Sequence, residues 1–156
     1  MRTMKTPSLY SKEIMKHFKH PKNIGIIKDA DGIGEAGNVV CGDIMKIYIK
    51  VKNNKIADIK AECFGCIVAI ANTSLLTTMV KGMNLKDALE VTKDDIVKKL
   101  GGVPPLKYHC SLLAIDALSE AIYNYYKKNN IPIPEKLKDK HERIQQSIES
   151  IEKRAK

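Results

Sequence analysis

The sequence predicts an α+β domain, in which a small antiparallel sheet formed early in the chain carries helices packed on one face. Two observations carry that reading. Residues 44–52 and 57–63 alternate apolar and polar side chains with the period of two that marks a half-buried strand. After Gly65-Cys66 the period becomes helical and stays so. The 156 residues suffice for one ordinary domain with a single sizeable core.

Taken in order, Ser8 to Phe18 reads as a short amphipathic helix with Leu9, Ile14 and Phe18 near one stripe and Ser8 or Ser11 as its cap. His20-Pro21 ends it, because the residue before a proline avoids the helical region. Asp29–Gly42, rich in Gly and Asp, is expected to be a loop that ends in a strand. Met45, Ile47, Ile49 and Val51 then face one side of a strand and Lys46, Tyr48, Lys50 and Lys52 the other. Asn53-Asn54 is the expected hairpin turn, since Asn tolerates positive φ. In the next strand Ala57, Ile59, Ala61 and Cys63 share the apolar face. Ile67–Val80 is a buried helix with Gly82 just past its end. Short helices cover 84–90 and 93–100, the second opened by a Thr92-Lys93-Asp94-Asp95 cap. Gly101-Gly102-Val103-Pro104-Pro105 is a hard break. Cys110–Lys128 is a long helix with a core stripe of Leu113, Ala117, Ala121 and Tyr125. Pro132 and Pro134 set off a charged, helix-prone tail in which Ile144, Ile148 and Ile151 form a narrow seam. The expected organisation is therefore a domain over 1–130 and a helical extension over 131–156.

Composition narrows the function classes. Lys and Arg outnumber Asp and Glu 27 to 18, a net of +9. Residues 1–28 hold a net of +6 and 127–156 a net of +4, whereas 29–126 are nearly neutral. Such ends read as solubilising lysines on helix faces, and no aromatic interleaving of the single-strand-binding kind accompanies them, so no nucleic acid is expected. No apolar run approaches the ~20 residues of a membrane span, and the start lacks a secretory h-region. A cytoplasmic, reducing setting follows, in which the four cysteines are thiols.

Three of those thiols stand at junctions between elements: Cys41 before Gly42-Asp43, Cys66 where a strand meets a helix, and Cys110 after His109 at the start of the long helix. A helix N-terminus favours the thiolate, the form that binds metal or attacks sulfur. Cys41, Asp43, Cys66, His109 and Cys110 together have the composition of a zinc or iron site, although no CxxC…CxxC pairing is present. Buried structural cysteines, or a nucleophilic cysteine with a histidine base, fit the same residues. Adjacent residues on a helix diverge by about 100°, which makes a Cys110–His109 nucleophile–base pair awkward. Cys63 is in phase with Ile59 and Ala61 and reads as a core residue, not half of a redox CxxC. His17, His20 and His141 read as solvated side chains.

These residues resemble the IscU/NifU-type iron–sulfur cluster assembly scaffolds (the NifU N-terminal domain). The resemblance rests on Tyr10-Ser11, His20-Pro21-Lys22-Asn23-Ile24-Gly25, Cys41-Gly42-Asp43, Phe64-Gly65-Cys66, and Pro104-Pro105-Leu106-Lys107 leading into His109-Cys110-Ser111, over roughly residues 8–128. It implies a three-stranded antiparallel sheet with helices on one face, and a scaffold or carrier without independent enzymatic turnover. It also implies that Cys41, Cys66 and Cys110 bind a transient [2Fe-2S] cluster, with Asp43 sharing the site and His109 an alternative ligand, or the fourth ligand when zinc occupies it. A cysteine desulfurase would supply sulfur, with Cys110 and then Cys41 as persulfide acceptor, and apo iron–sulfur proteins would receive the cluster. Val103–Lys107 is similar to the docking motif for an Hsp70-type chaperone. The protein would be a monomer or weak homo-oligomer. Two departures stand out: Ile67-Val68-Ala69 stands where small glycine and serine residues are common, and Cys63 occupies a place usually held by a non-cysteine residue. The further cluster-binding domain of longer NifU proteins is not expected.

Overall fold

The computed structural model describes residues 10–37 and 42–155. Strands β1 (Gly32–Gly37), β2 (Ile44–Lys52) and β3 (Lys55–Phe64) form an antiparallel sheet in the order β1-β2-β3. Helices α1 (Lys12–Lys19), α2 (Ile67–Val80), α3 (Leu85–Leu89), α4 (Lys93–Lys99), α5 (Tyr108–Lys128) and α6 (Glu135–Ala155) complete the described chain. Met45, Ile47, Ile49, Ile59 and Ala61 are wholly buried on the face of the sheet that α2 and α5 cover.

β1 occupies the middle of the stretch expected to be loop. Its alternation is inverted in size: Gly32, Gly34 and Ala36 point inward while Ile33 is exposed. The reason is the approach of α5. A Cβ on Gly34 would lie 2.1 Å from the Ala121 nitrogen and 2.3 Å from the Ala117 oxygen. The absence of a Cβ at Gly32 and Gly34 lets the helix backbone pack so closely.

The Asn53-Asn54 turn is as expected, with φ of 53° and 62°, the two positive values of a type I′ turn. Beyond it the register slips. Lys50 pairs with Asp58 and Val51 with Ile56, so Ala57 is an extra residue in β3. The bulge places Ile56 in the core and turns Ala57 to solvent, correcting the expected facing of Ala57. Cys63, on the far side of the bulge, keeps its phase and packs partly buried against the core. Residues 23–25 bond to Ala61 and cover the outer edge of β3.

Ser11 caps α1 by accepting from the Ile14 N–H, and its hydroxyl also bonds the Leu100 carbonyl. Ser8 and Leu9 lie outside the described residues. α2 is buried nearly all round, including Asn72, Thr73, Ser74 and Thr77. Its polar side chains find partners: Asn72 accepts from Ser111 at 2.7 Å, and Thr73 donates to the Ala69 carbonyl at 2.8 Å. Thr92 and Asp95 form the expected capping box of α4. α5 begins two residues earlier than expected, after a 3₁₀ turn at Pro105–Lys107. Its stripe of Leu113, Ala117 and Ala121 is buried, but Tyr126 rather than Tyr125 closes it. Four-residue steps overshoot a helical turn by about 40° each, which rotates Tyr125 toward the edge.

The charged tail is helix α6, and it folds back along α5. Leu137 and Ile144 are buried, while the side chains of Ile148 and Ile151 lie outside the described residues. Polar groups fasten the rest of the contact. Arg143 donates to both oxygens of the buried Asp116 at 3.0 and 3.3 Å. The buried Glu120 meets His141 at 2.7 Å and Gln145 at 2.5 Å. His141 also stacks on Tyr123 with centroids 3.8 Å apart, so it is not the solvated side chain expected. A carboxylate cannot stay buried on α5 without such partners, and that requirement holds the tail in place.

Candidate metal centre

Three chain segments converge at one end of the sheet. Asp43 precedes β2, Cys66 is the N-cap of α2, and His109 and Cys110 lie in the first turn of α5. One ligand atom each from Asp43, His109 and Cys110 falls within a mutual 4.8 Å. The Cys66 and Cys110 sulfurs are 3.6 Å apart, and the Cys110 sulfur is 3.9 Å from Oδ2 of Asp43. Two thiolates sharing one tetrahedral metal at about 2.3 Å would sit about 3.8 Å apart, so these sulfurs already have the spacing of a common metal. Cys41 lies outside the described residues and is joined to Asp43 through Gly42.

The surroundings suit a bound cation and its anionic ligands. Nε2 of His109 is buried and has no hydrogen-bond partner, which leaves a ring nitrogen available to a metal. Neither α2 nor α5 has a side-chain cap or an acid in its first turn. The positive dipole ends of both helices therefore face the corner where Cys66 and Cys110 lie. Asp43 is 9% exposed and Cys110 wholly buried, while Cys66 and His109 are half-buried. Gly65 allows this crowding, because a Cβ there would lie 3.0 Å from the Asp43 carboxyl carbon and 2.9 Å from Cβ of Ala69. Ala69, one of the bulkier residues noted after Cys66, thus lines the same corner.

Cys63 differs from its neighbours. Burial pushes its thiol up to about 11, opposed by a bond to Thr73 and aided by the nearby Asp43 and Cys66. It stays a protonated, inert thiol at neutral pH. Cys63, Cys66 and Cys110 are not in disulfides. Of the histidines set aside in the sequence, His20 is exposed. His17 instead reaches the buried Ser74 through Nδ1 at 2.8 Å, a correction that follows from α1 packing on α2.

Three exposed apolar residues close in sequence to the site were not foreseen. Phe64 is 70%, Leu106 87% and Tyr108 40% exposed, each within a few residues of a cysteine or histidine of the centre. Their signal lay in the sequence, as large apolar residues within a few positions of Cys66 and His109, but a hydropathy pattern assigns such residues to the core.

A family model described as the NifU-like N terminal domain matches residues 9–132. The chain belongs to this family. It is 53% identical over 121 residues to the iron-sulfur cluster assembly scaffold protein IscU 1 of Archaeoglobus fulgidus, covering 78% of this chain and 79% of that protein. It is 41% identical over 146 residues to the iron-sulfur cluster assembly scaffold protein IscU of Aquifex aeolicus, covering 92% and 93% of the two chains. The fold matches the crystal structure of a nitrogen-fixing NifU-like protein (N-terminal) from Brucella abortus with a TM-score of 0.64, at 21% identity over 77% of this chain and 96% of that one. The three-stranded sheet with its packed helices is thus the NifU-like fold, and α6 lies beyond the family match. Among the described residues, no helix is long and apolar enough to cross a membrane.

Proposed function

We propose that this chain is a scaffold on which an iron–sulfur cluster is assembled and from which it passes to recipient proteins. The observation that carries the proposal is the pair of sulfurs at Cys66 and Cys110, 3.6 Å apart beside the Asp43 carboxylate, in a member of a family whose relatives bear that name. Cys41, Cys66 and Cys110 supply thiolates to a [2Fe-2S] cargo, and Asp43 supplies the fourth contact. A carboxylate is a harder and weaker partner for iron than a thiolate, so one position of the cluster remains exchangeable. His109, with its unpaired ring nitrogen, serves as the alternative ligand and completes a four-donor site when zinc is bound.

Sulfur arrives from a cysteine desulfurase as a persulfide. A scaffold thiolate attacks the terminal sulfur, the donor's S–S bond breaks, and the donor cysteine leaves as thiolate. Cys110 is the first candidate acceptor and Cys41 the second. Because Cys110 is wholly buried, the protein around it has to open for a donor to reach its sulfur. Apo iron–sulfur proteins receive the cluster. The exposed Leu106 within Val103–Lys107 offers a handle to an Hsp70-type chaperone, and the protein acts without independent turnover. Residues 1–130 form the scaffold domain and 131–156 its extension, in a monomer or weak homo-oligomer in the cytoplasm.

The experiment is cluster transfer from the Asp43→Ala protein to an apo-ferredoxin, followed by circular dichroism in the visible region. Transfer slower than from the parent protein is expected. An unchanged rate would remove Asp43 from the mechanism.

A further inference from the structure

Away from the cysteines, a cavity of about 630 Å³ opens where α3, α4 and the start of α6 meet one face of α5. Leu89, Val91, Leu112, Ile115 and Leu137 give it an apolar lining. Lys86, Lys93, Lys136 and Lys140 stand around that lining, against one acid, Glu90. Tyr108, Leu112, Ile115 and Ser119 follow one another at helical spacing along α5, so the face they form runs for about 16 Å. At its upper end Tyr108 and Leu112 are 40% and 39% exposed, and the Lys93 ammonium lies 5.9 Å from the Tyr108 ring centre. At its lower end Lys140 donates to Ser119 at 3.0 Å and stays 4.0 Å from Asp116, whose carboxylate Arg143 already holds.

We infer that this groove docks an acidic, amphipathic helical segment of a partner protein. Such a segment lays apolar side chains on Tyr108 and Leu112 and sets its carboxylates against Lys86, Lys93 and Lys136. Charge selects the occupant: lysines on both sides of an apolar floor repel a basic helix and leave a neutral one without flanking contacts. The chain's own residues 1–9 do not suit it, since they hold Arg2 and Lys5 and no acid. Tyr108 and Leu112 bracket Cys110 in the sequence, so a segment bound here is tethered beside the metal centre. That the partner takes part in cluster assembly rests on the scaffold reading, whereas the docking itself does not.

The test uses a fluorescein-labelled probe peptide of about 15 residues, with leucines at positions i, i+4, i+7 and i+11 and glutamates between, titrated with the full chain in about 0.15 M salt and read by anisotropy. A second peptide has the same composition with the apolar spacing scrambled. Leu112→Glu and the pair Lys93→Glu/Lys136→Glu should each weaken binding by at least about tenfold. The pair Lys12→Glu/Lys19→Glu on α1 carries the same charge change outside the groove and should alter binding by less than about twofold. Equal loss from both lysine pairs would reduce the effect to general electrostatics and overturn the inference. So would equal binding of the scrambled peptide, no effect of Leu112→Glu, or groove-dependent binding to phosphatidylglycerol vesicles in place of the peptide. Anaerobic reconstitution with iron and sulfide is read on the same variants. Colour retained with peptide binding lost is the expected result, and failure to colour in the parent protein would count against the scaffold reading alone.

Discussion

Replacing Gly34 by alanine tests how the sheet seats the helix that carries His109 and Cys110. The added Cβ would lie 2.1 Å from the Ala121 nitrogen, 2.3 Å from the Ala117 oxygen and 2.6 Å from the Glu120 carbonyl carbon. All three are helix backbone, which cannot rotate away as a side chain would. Restoring ordinary contact requires α5 to retreat by roughly 1 Å from β1, across an interface where Ala117 and Ala121 are wholly buried. Overpacking of this kind costs about 3 kcal/mol at the upper end of its usual range. Alanine stiffens the unfolded chain and offsets up to about 1 kcal/mol of that. A net loss of about 2 kcal/mol lowers Tm by about 4–8 °C in a domain of this size. Circular dichroism at 222 nm, a wavelength set by helix absorption, reads the transition. Because α5 also carries His109 and Cys110, the same variant should bind cobalt(II) more weakly, as read by its thiolate charge-transfer band. A Tm within 1 °C of the parent and unchanged cobalt binding would refute the argument that α5 is seated on glycine.

Two further predictions concern protonation. Burial lowers the pKa of His17, opposed by Glu13 and reinforced by Lys16 and Lys22. The neutral ring is favoured in the folded state, where the Lys22 N–H donates to Ser74 and leaves the Ser74 hydroxyl to donate to Nδ1. The resulting stability is present above the ordinary histidine value of 6.5 and is lost as pH falls below it. Urea midpoints at two pH values on either side should therefore differ more for the parent than for His17→Gln, and equal differences would contradict the assignment. For Cys63, a thiol raised to about 11 should resist iodoacetamide at pH 8 in metal-free protein while Cys66 is alkylated. Peptide mass spectrometry reads both sites, and equal labelling would show that Cys63 is not shielded.

Much of the fold was legible because it depends on local periodicity. The alternation of Met45, Ile47 and Ile49, the positive φ open to Asn53-Asn54, and the Thr92–Asp95 cap each express a backbone preference within a few residues. β1 was not legible, because its inward positions are chosen for the absence of side chains and so invert the hydropathy pattern. The bulge at Ala57 escaped for a related reason, since one extra residue reverses a period-two face without altering composition. The role of α6 depends on partners far along the chain: Asp116 and Arg143 are 27 residues apart, Glu120 and His141 21. No local pattern marks a buried carboxylate, so a charged tail looked solvated.

At the candidate metal centre, Asp43, Cys66, His109 and Cys110 were picked out by residue type and by their neighbours, and the fold brings all four together. The exposed Phe64, Leu106 and Tyr108 were missed because exposure is a tertiary property.

The most direct test is anaerobic reconstitution with iron, cysteine and a cysteine desulfurase, followed by visible absorption, on the parent chain beside the Cys66→Ser/Cys110→Ser protein. A red-brown chromophore that forms on the parent, is lost from the double variant, and moves to an added apo-ferredoxin is the predicted outcome. A parent chain that stays colourless, or a double variant that colours equally, would contradict the claim that these sulfurs gather a transferable cluster.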